Sequence, residues 1–117
     1  MSDSLKANSV LAGGDLLVEH SPVPNEDVVG GSPQTGEQTL VEYPAFEIGI
    51  WEITPGVVTD VEGDETFVVL SGVATVELLE SGEVLQLAAG SVARLESGTH
   101  TRWTVTETLR KVYVVPA

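Results

Sequence analysis

The rhythm of branched residues is what most constrains this chain. Valine occurs 19 times and threonine 11 times, in short runs cut by glycine, proline or acidic turns. Side chains branched at Cβ lose freedom in a helix and suit a pleated surface. No window of about eleven residues or more carries a helical period, and only Ser4 to Ala12 has room for a turn or two. Strand-like runs fall at Asp15–Glu19, Glu37–Tyr43, Glu47–Thr54, Val57–Val61 and Glu65–Leu70. They continue at Val73–Leu79, Val84–Leu87, Ser91–Leu95, Thr99–Val105 and Thr108–Val115. Between them stand turn signals such as Pro55-Gly56, Ser71-Gly72, Ser81-Gly82 and Ser97-Gly98. Many short strands separated by glycine turns predict an all-β, antiparallel sandwich or barrel.

A length of 117 residues suits one domain. Residues 1–26 read as an N-terminal strand and arm and residues 27–117 as the main body, with 21–36 an irregular stretch lying across the sheet. Eighteen Asp and Glu against five Lys and Arg set a formal charge of −13, which opposes nucleic acid and anionic membrane surfaces. The chain is 42% hydrophobic, too apolar for a disordered acidic tail. Having no cysteine, it has no disulfide, thiol nucleophile or zinc–thiolate site. The opening MSDSLKANSVLAGGD lacks a signal-like apolar run, and no stretch approaches a membrane span. A cytoplasmic protein is expected.

Three blocks have more order than strand content requires. They are Gly49-Ile50-Trp51-Glu52-Ile53-Thr54-Pro55-Gly56; Glu65, then Gly72 after six residues; and Gly90 through Gly98 to Trp103, Val105, Glu107, Arg110 and Lys111. In this order and spacing the chain resembles the cupins. The likeness is to small single-domain cupins related to (S)-ureidoglycine aminohydrolase and the ethanolamine-utilisation cupins. It covers about residues 27 to 115, including a Gly-x-Pro arm at Gly31-Ser32-Pro33. The resemblance implies a jelly-roll barrel, often dimeric, with a lumen for a small ligand. It also implies a lumen metal held by three His and one Glu, and here the chain departs. The histidine slots of the first motif fall on Thr59 and Val61, or on Val58 and Asp60; that of the second falls on Thr101. Only Glu65 survives, and one carboxylate does not hold a transition metal tightly. No cofactor is expected.

Strand alternation puts Glu65 on the face of Phe67 and Val69, and Lys111 on that of Leu109, Tyr113 and Val115. A carboxylate in such company needs a partner. The expectation is a Glu65–Lys111 ion pair standing where other cupins hold metal, acting either as acid–base or anchor groups or as a structural pair. Trp51, Phe67, Trp103 and Tyr113 are candidate walls of a ligand site, although aromatics at strand spacing are more often core. Arg94, Arg102, Arg110 and Lys111 place four of five cations in the last 24 residues, and Arg102 is counted with the ligand-binding candidates. Asp60, Glu62, Asp64 and Glu65 resemble the start of an EF-hand, but Glu65 stands where glycine is needed and Ser71 where a bidentate Glu belongs. They read as a solvated acidic turn, with a weak hard-cation site on this loop as the lesser alternative.

Two classes of function follow. One is a metal-free cupin that binds or transforms a small polar metabolite, with Glu65 and Lys111 as reactive groups. The other is a non-catalytic interaction module with a filled barrel. A lesser alternative keeps a divalent metal on Glu65, Asp60 and His100. A homodimer is expected because Thr66–Leu70 and Val112–Val115 are apolar on both faces.

Overall fold

A computed structural model describes residues 3–117. Its nine strands are β1 (Ser21–Pro22), β2 (Val28–Gly30), β3 (Gln34–Glu42), β4 (Phe46–Ile53), β5 (Gly56–Val61), β6 (Glu65–Leu78), β7 (Val84–Leu87), β8 (Val92–Leu95) and β9 (His100–Pro116). Every ladder is antiparallel, and the only helical element among the described residues is a 3-10 turn at Asn25–Asp27. One side runs β1-β3-β4-β9-β5-β2; β6 joins through β9 and carries β7 and β8. This is the all-β jelly roll that the strand rhythm and the resemblance imply.

The spine is β9. Its first half lies between β5 and the end of β6, where Trp103 faces Val58 and Val76. Its second half lies between β4 and the start of β6, where Lys111 faces Trp51 and Val69. Four of the expected strands are therefore two long bent ones. Gly72, expected as a turn, is a bulge inside β6, and the register against β9 shifts between Val69 and Ala74. Its φ of +96° is left-handed, and a side chain there would strike the Thr108 carbonyl, so only glycine fits. The extra residue also resets the alternation: Phe67 and Val69 point inward before it, Ala74 and Val76 after it.

Three other expectations change. Asp15–Glu19 joins no ladder, and Ser4–Ala12 forms bends and turns. Residues 21–36 are not a loose arm. They supply β1 and β2, which occupy the two ends of the strand order, beside β3 and β5. The N-terminal residues dock alongside: Leu5 N–H donates to the Leu40 carbonyl at 3.1 Å, and Gln38 Nε2 donates to Ser4 Oγ at 2.7 Å.

Inward residues of both layers form one core, with Ile53, Phe67, Val69, Val76, Trp103 and Leu109 almost completely buried. Each such side chain contributes on the order of 1.5–3 kcal/mol. The core packs the middle of the barrel and leaves a cavity bordered by β3, β4, β5 and the turn after β5.

Candidate functional site

Lys111 points into the barrel from β9, and Trp51 is its cross-strand neighbour on β4. The Lys111 side chain is 6% exposed and its Nζ lies 2.8 Å from Glu65 Oε2, itself on a side chain 13% exposed. Three ring faces complete the enclosure, with Nζ 4.4 Å from the Trp51 centroid, 4.3 Å from Phe67 and 5.1 Å from Trp103. An ammonium taken out of water is costly unless paired, and one carboxylate with three aromatic faces supplies the pairing. Tyr113 follows two residues on. Its ring crosses over Gly49, where any side chain would collide with it, and its hydroxyl donates to Glu37 Oε2 at 3.3 Å. Burial and then the Glu37 charge push the Tyr113 phenol up to about 12.

A second polar cluster was not visible in the sequence. Glu62, expected in a solvated turn, is buried at 7% exposure. Its Oε2 accepts from Thr101 Oγ1 at 2.6 Å and from Trp103 Nε1 at 3.1 Å. The backbone is fixed too: Glu62 N–H donates to the Thr99 carbonyl at 2.9 Å, and Gly98 N–H to the Glu62 carbonyl at 2.8 Å. Asp64 Oδ1 accepts from Ser97 N–H at 2.9 Å, so the acidic turn is tied to the turn before β9. One signal did exist. An inward tryptophan needs an acceptor for its indole N–H, and the strand of Trp103 contains no carboxylate on its own inward face.

Between these clusters lies a cavity of about 650 Å³. Trp51, Ile53, Val58, Trp103 and Tyr113 form its apolar wall. Its charged lining is almost all acidic, with Asp27, Asp60, Glu62 and Asp64 near β5, Glu37 and Glu47 from β3 and β4, and Glu65 beside Lys111. Lys111 is the one cation in that lining. Partial burial, and then the charge of Glu62, hold the Asp60 carboxyl above its ordinary range.

Of the candidates, Glu65, Lys111, Trp51, Trp103 and Tyr113 all border this cavity. Phe67 is buried at 1% exposure beneath Lys111 and supports the cage instead of lining the space. Arg102 is corrected: it points to the outer face, with Nη1 3.4 Å from Glu77 Oε1, because alternation along β9 turns it away from Thr101 and Trp103. The four C-terminal cations thus form no single anion site. Arg94 is exposed on β8, Arg110 is buried on the outer face, and only Lys111 turns inward.

The metal set Glu65, Asp60 and His100 is corrected as well. His100 is exposed and alternates away from Thr101, while Glu65 is already held by an ammonium. Among the described residues no group of three or more His, Asp or Glu is placed to hold a metal ion. Thr59, Val61 and Thr101 offer no imidazole in the cupin histidine slots. The donor set does not fit the metal that the fold implies.

An antiparallel jelly roll with a lined lumen is the architecture that cupins share with some other β proteins. The chain belongs to the EutQ-like cupin domain family, whose model matches residues 42–113. Among solved structures, the EutQ protein of Clostridium difficile is similar at 19% identity and a TM-score of 0.63, covering 73% of this chain and 64% of its own. A protein of unknown function from Pseudomonas syringae pv. tomato str. DC3000 is 26% identical with a TM-score of 0.74, covering 86% of this chain and 44% of its own. The chain thus spans less than two thirds of either neighbour. A cupin superfamily protein from Desulfitobacterium hafniense DCB-2 matches almost end to end, 97% and 95%, at 13% identity and a TM-score of 0.68. No curated protein matches the chain at a significant level. Among the described residues no helix is long and apolar enough to cross a membrane.

Proposed function

We propose that the chain is a metal-independent cupin that binds or transforms a small polar metabolite in its barrel. The observation that carries this reading is the cavity of about 650 Å³ with the Glu65–Lys111 pair in its wall. Such a volume suits a small ligand, and a few convergent polar groups in an aromatic wall suit specific binding. Glu65 and Lys111 stand at hydrogen-bond distance, so a proton can pass between carboxylate and amine and on to a bound substrate. As anchor groups they would orient the ligand against Trp51. The likeness to (S)-ureidoglycine aminohydrolase suggests ureides and small acids, by analogy of fold alone, and the acidic lining disfavours the small acids.

The test is a thermal-shift screen of carboxylates, ureides, sugars and amines, repeated with Glu65→Gln and Lys111→Met. A compound that stabilises the wild type and loses its effect in both variants supports the reading. Uniform silence across all four classes ends it.

A second reading, a dimeric interaction module, draws on the outer sheet face. Val68 (39% exposed), Val92 (71%) and Val114 (37%) lie there on neighbouring strands, with Val68 opposite Val92. A second copy of the chain would cover this apolar face. Light scattering after size exclusion at micromolar concentration should give twice the chain mass; a monomer removes the dimer.

A further inference from the structure

We propose that the cavity selects an organic cation, a small molecule whose ammonium or amidinium group seats between Glu62 and the face of Trp51. This rests on the reading that the cavity holds a small metabolite, and it names the charge class of that metabolite.

The charge balance of the walls comes first. Lys111 is the one cation of the lining and is already matched by Glu65 at 2.8 Å. Asp60, Glu62 and Asp64 near β5, with Glu37 and Glu47 from β3 and β4, form no salt bridge with that cation. In a space partly closed to solvent such a set repels anions and concentrates cations.

Glu62 marks where the charge would sit. It is only 7% exposed, and both of its side-chain hydrogen bonds go to Oε2. Oε1 accepts no hydrogen bond from the described residues, yet the residue lines the cavity. Oε1 is not among the buried side-chain atoms left without a partner, so it stays open to the cavity, where a charged donor can reach it. Partial burial, and then the charge of Glu62, raise the pKa of Asp60, and Lys111 offsets this only in part.

The aromatic wall supplies the rest. Lys111 demonstrates inside this barrel that an ammonium is held at 4.3–5.1 Å from these ring centroids. Trp51, partly exposed, borders both the cage and the cavity, so it can offer a ring face to a second cation. A bare divalent ion is less well served, since no three donors converge among the described residues.

The Trp103 indole N–H donates to Glu62 and reports on that carboxylate directly. The full chain, labelled with 15N, is titrated with propylammonium, tetramethylammonium, propionate, urea and magnesium at matched ionic strength. Saturable movement of the Trp103 and Trp51 indole signals is expected with propylammonium and not with propionate. Glu62→Gln keeps an acceptor for Thr101 and Trp103 and should weaken propylammonium binding about tenfold or more. Should that variant fail to fold, Asp60→Asn, whose amide oxygen can still accept from Val61 N–H, should weaken it roughly threefold. Propionate, urea or magnesium moving the indoles while the ammonium ions do not overturns the charge class but leaves a binding cavity standing. Cation binding that ignores both variants overturns the seat at Glu62. Silence of every probe overturns the charge class and the cavity reading together.

Discussion

Arg110 and Lys111 are consecutive on β9 and point to opposite sides of the same strand. Both are buried, and both meet a glutamate. On the outer side Arg110 Nε donates to Glu52 Oε1 at 3.0 Å and Nη1 to the Gly13 carbonyl at 2.8 Å. The other Glu52 oxygen meets His20 Nε2 at 2.6 Å. That cluster ties the N-terminal residues to the sheet, and none of its residues lines the inner cavity. On the inner side Lys111 has one carboxylate, three ring faces and the cavity beside it. The difference follows from the two side chains. A guanidinium has a planar fork of donors that joins several partners at once, whereas an ammonium is a compact charge on a flexible stem. The fork suits a fixed seam, and the compact charge suits a place where a ligand has to fit beside it.

Lys111→Met should produce the largest effect, a loss of about 3 kcal/mol in urea unfolding, because it strands the buried Glu65 carboxylate. The same variant should change the thermal response to ligand, because Lys111 and its partner Glu65 both border the cavity. Arg110→Met should cost about 2 kcal/mol, less because Glu52 keeps His20 as a partner. Its ligand response should match wild type. A reversed pattern, with ligand response lost at Arg110 and kept at Lys111, would break the division between the two faces.

A smaller change sharpens the inner side. Thr101→Val removes one of the two hydrogen bonds to Glu62 Oε2 and should cost about 1 kcal/mol in the same unfolding assay. No loss at all would mean that Glu62 is not held in place by Thr101.

Acid should act on the two faces with opposite sign. Burial tends to raise the pKa of Glu52, but the hydrogen bonds from His20 and Arg110 and the Arg110 charge bring it below its ordinary 4.5. Its stabilisation is therefore complete above pH 4.5 and lost as pH falls through the lower folded value. Glu52→Gln should flatten that part of the stability curve. Asp60 is shifted the other way, so stability is lost as pH rises from 3.8 through its raised value. Asp60→Asn should thus gain a little stability at neutral pH and none below pH 3.8. Equal acid responses in the two variants would show that the faces do not differ electrostatically.

Much of this was legible because alternation is local. The inward set Thr101, Trp103 and Val105, the outward set His100, Arg102 and Thr104, and the shared inward face of Glu65 and Phe67 all follow from counting by twos. The same counting turns both His100 and Arg102 away from the barrel. It failed at Gly72, because a serine–glycine pair reads alike as a turn between strands or a bulge within one. It failed at Glu62 because that residue sits just past the end of β5, where no alternation assigns a face.

The sequence by itself determined the strand content, the family and the inward direction of the Glu65 and Lys111 side chains, since each depends on near neighbours and spacing. Only the tertiary structure decided which groups meet. Glu62 and Thr101 are 39 positions apart, and their contact exists because β5 and β9 pair edge to edge. The concentration of carboxylates around one cavity has the same origin. Charge composition sums over the whole chain, whereas a binding site depends on distances, and those are fixed by how the barrel closes.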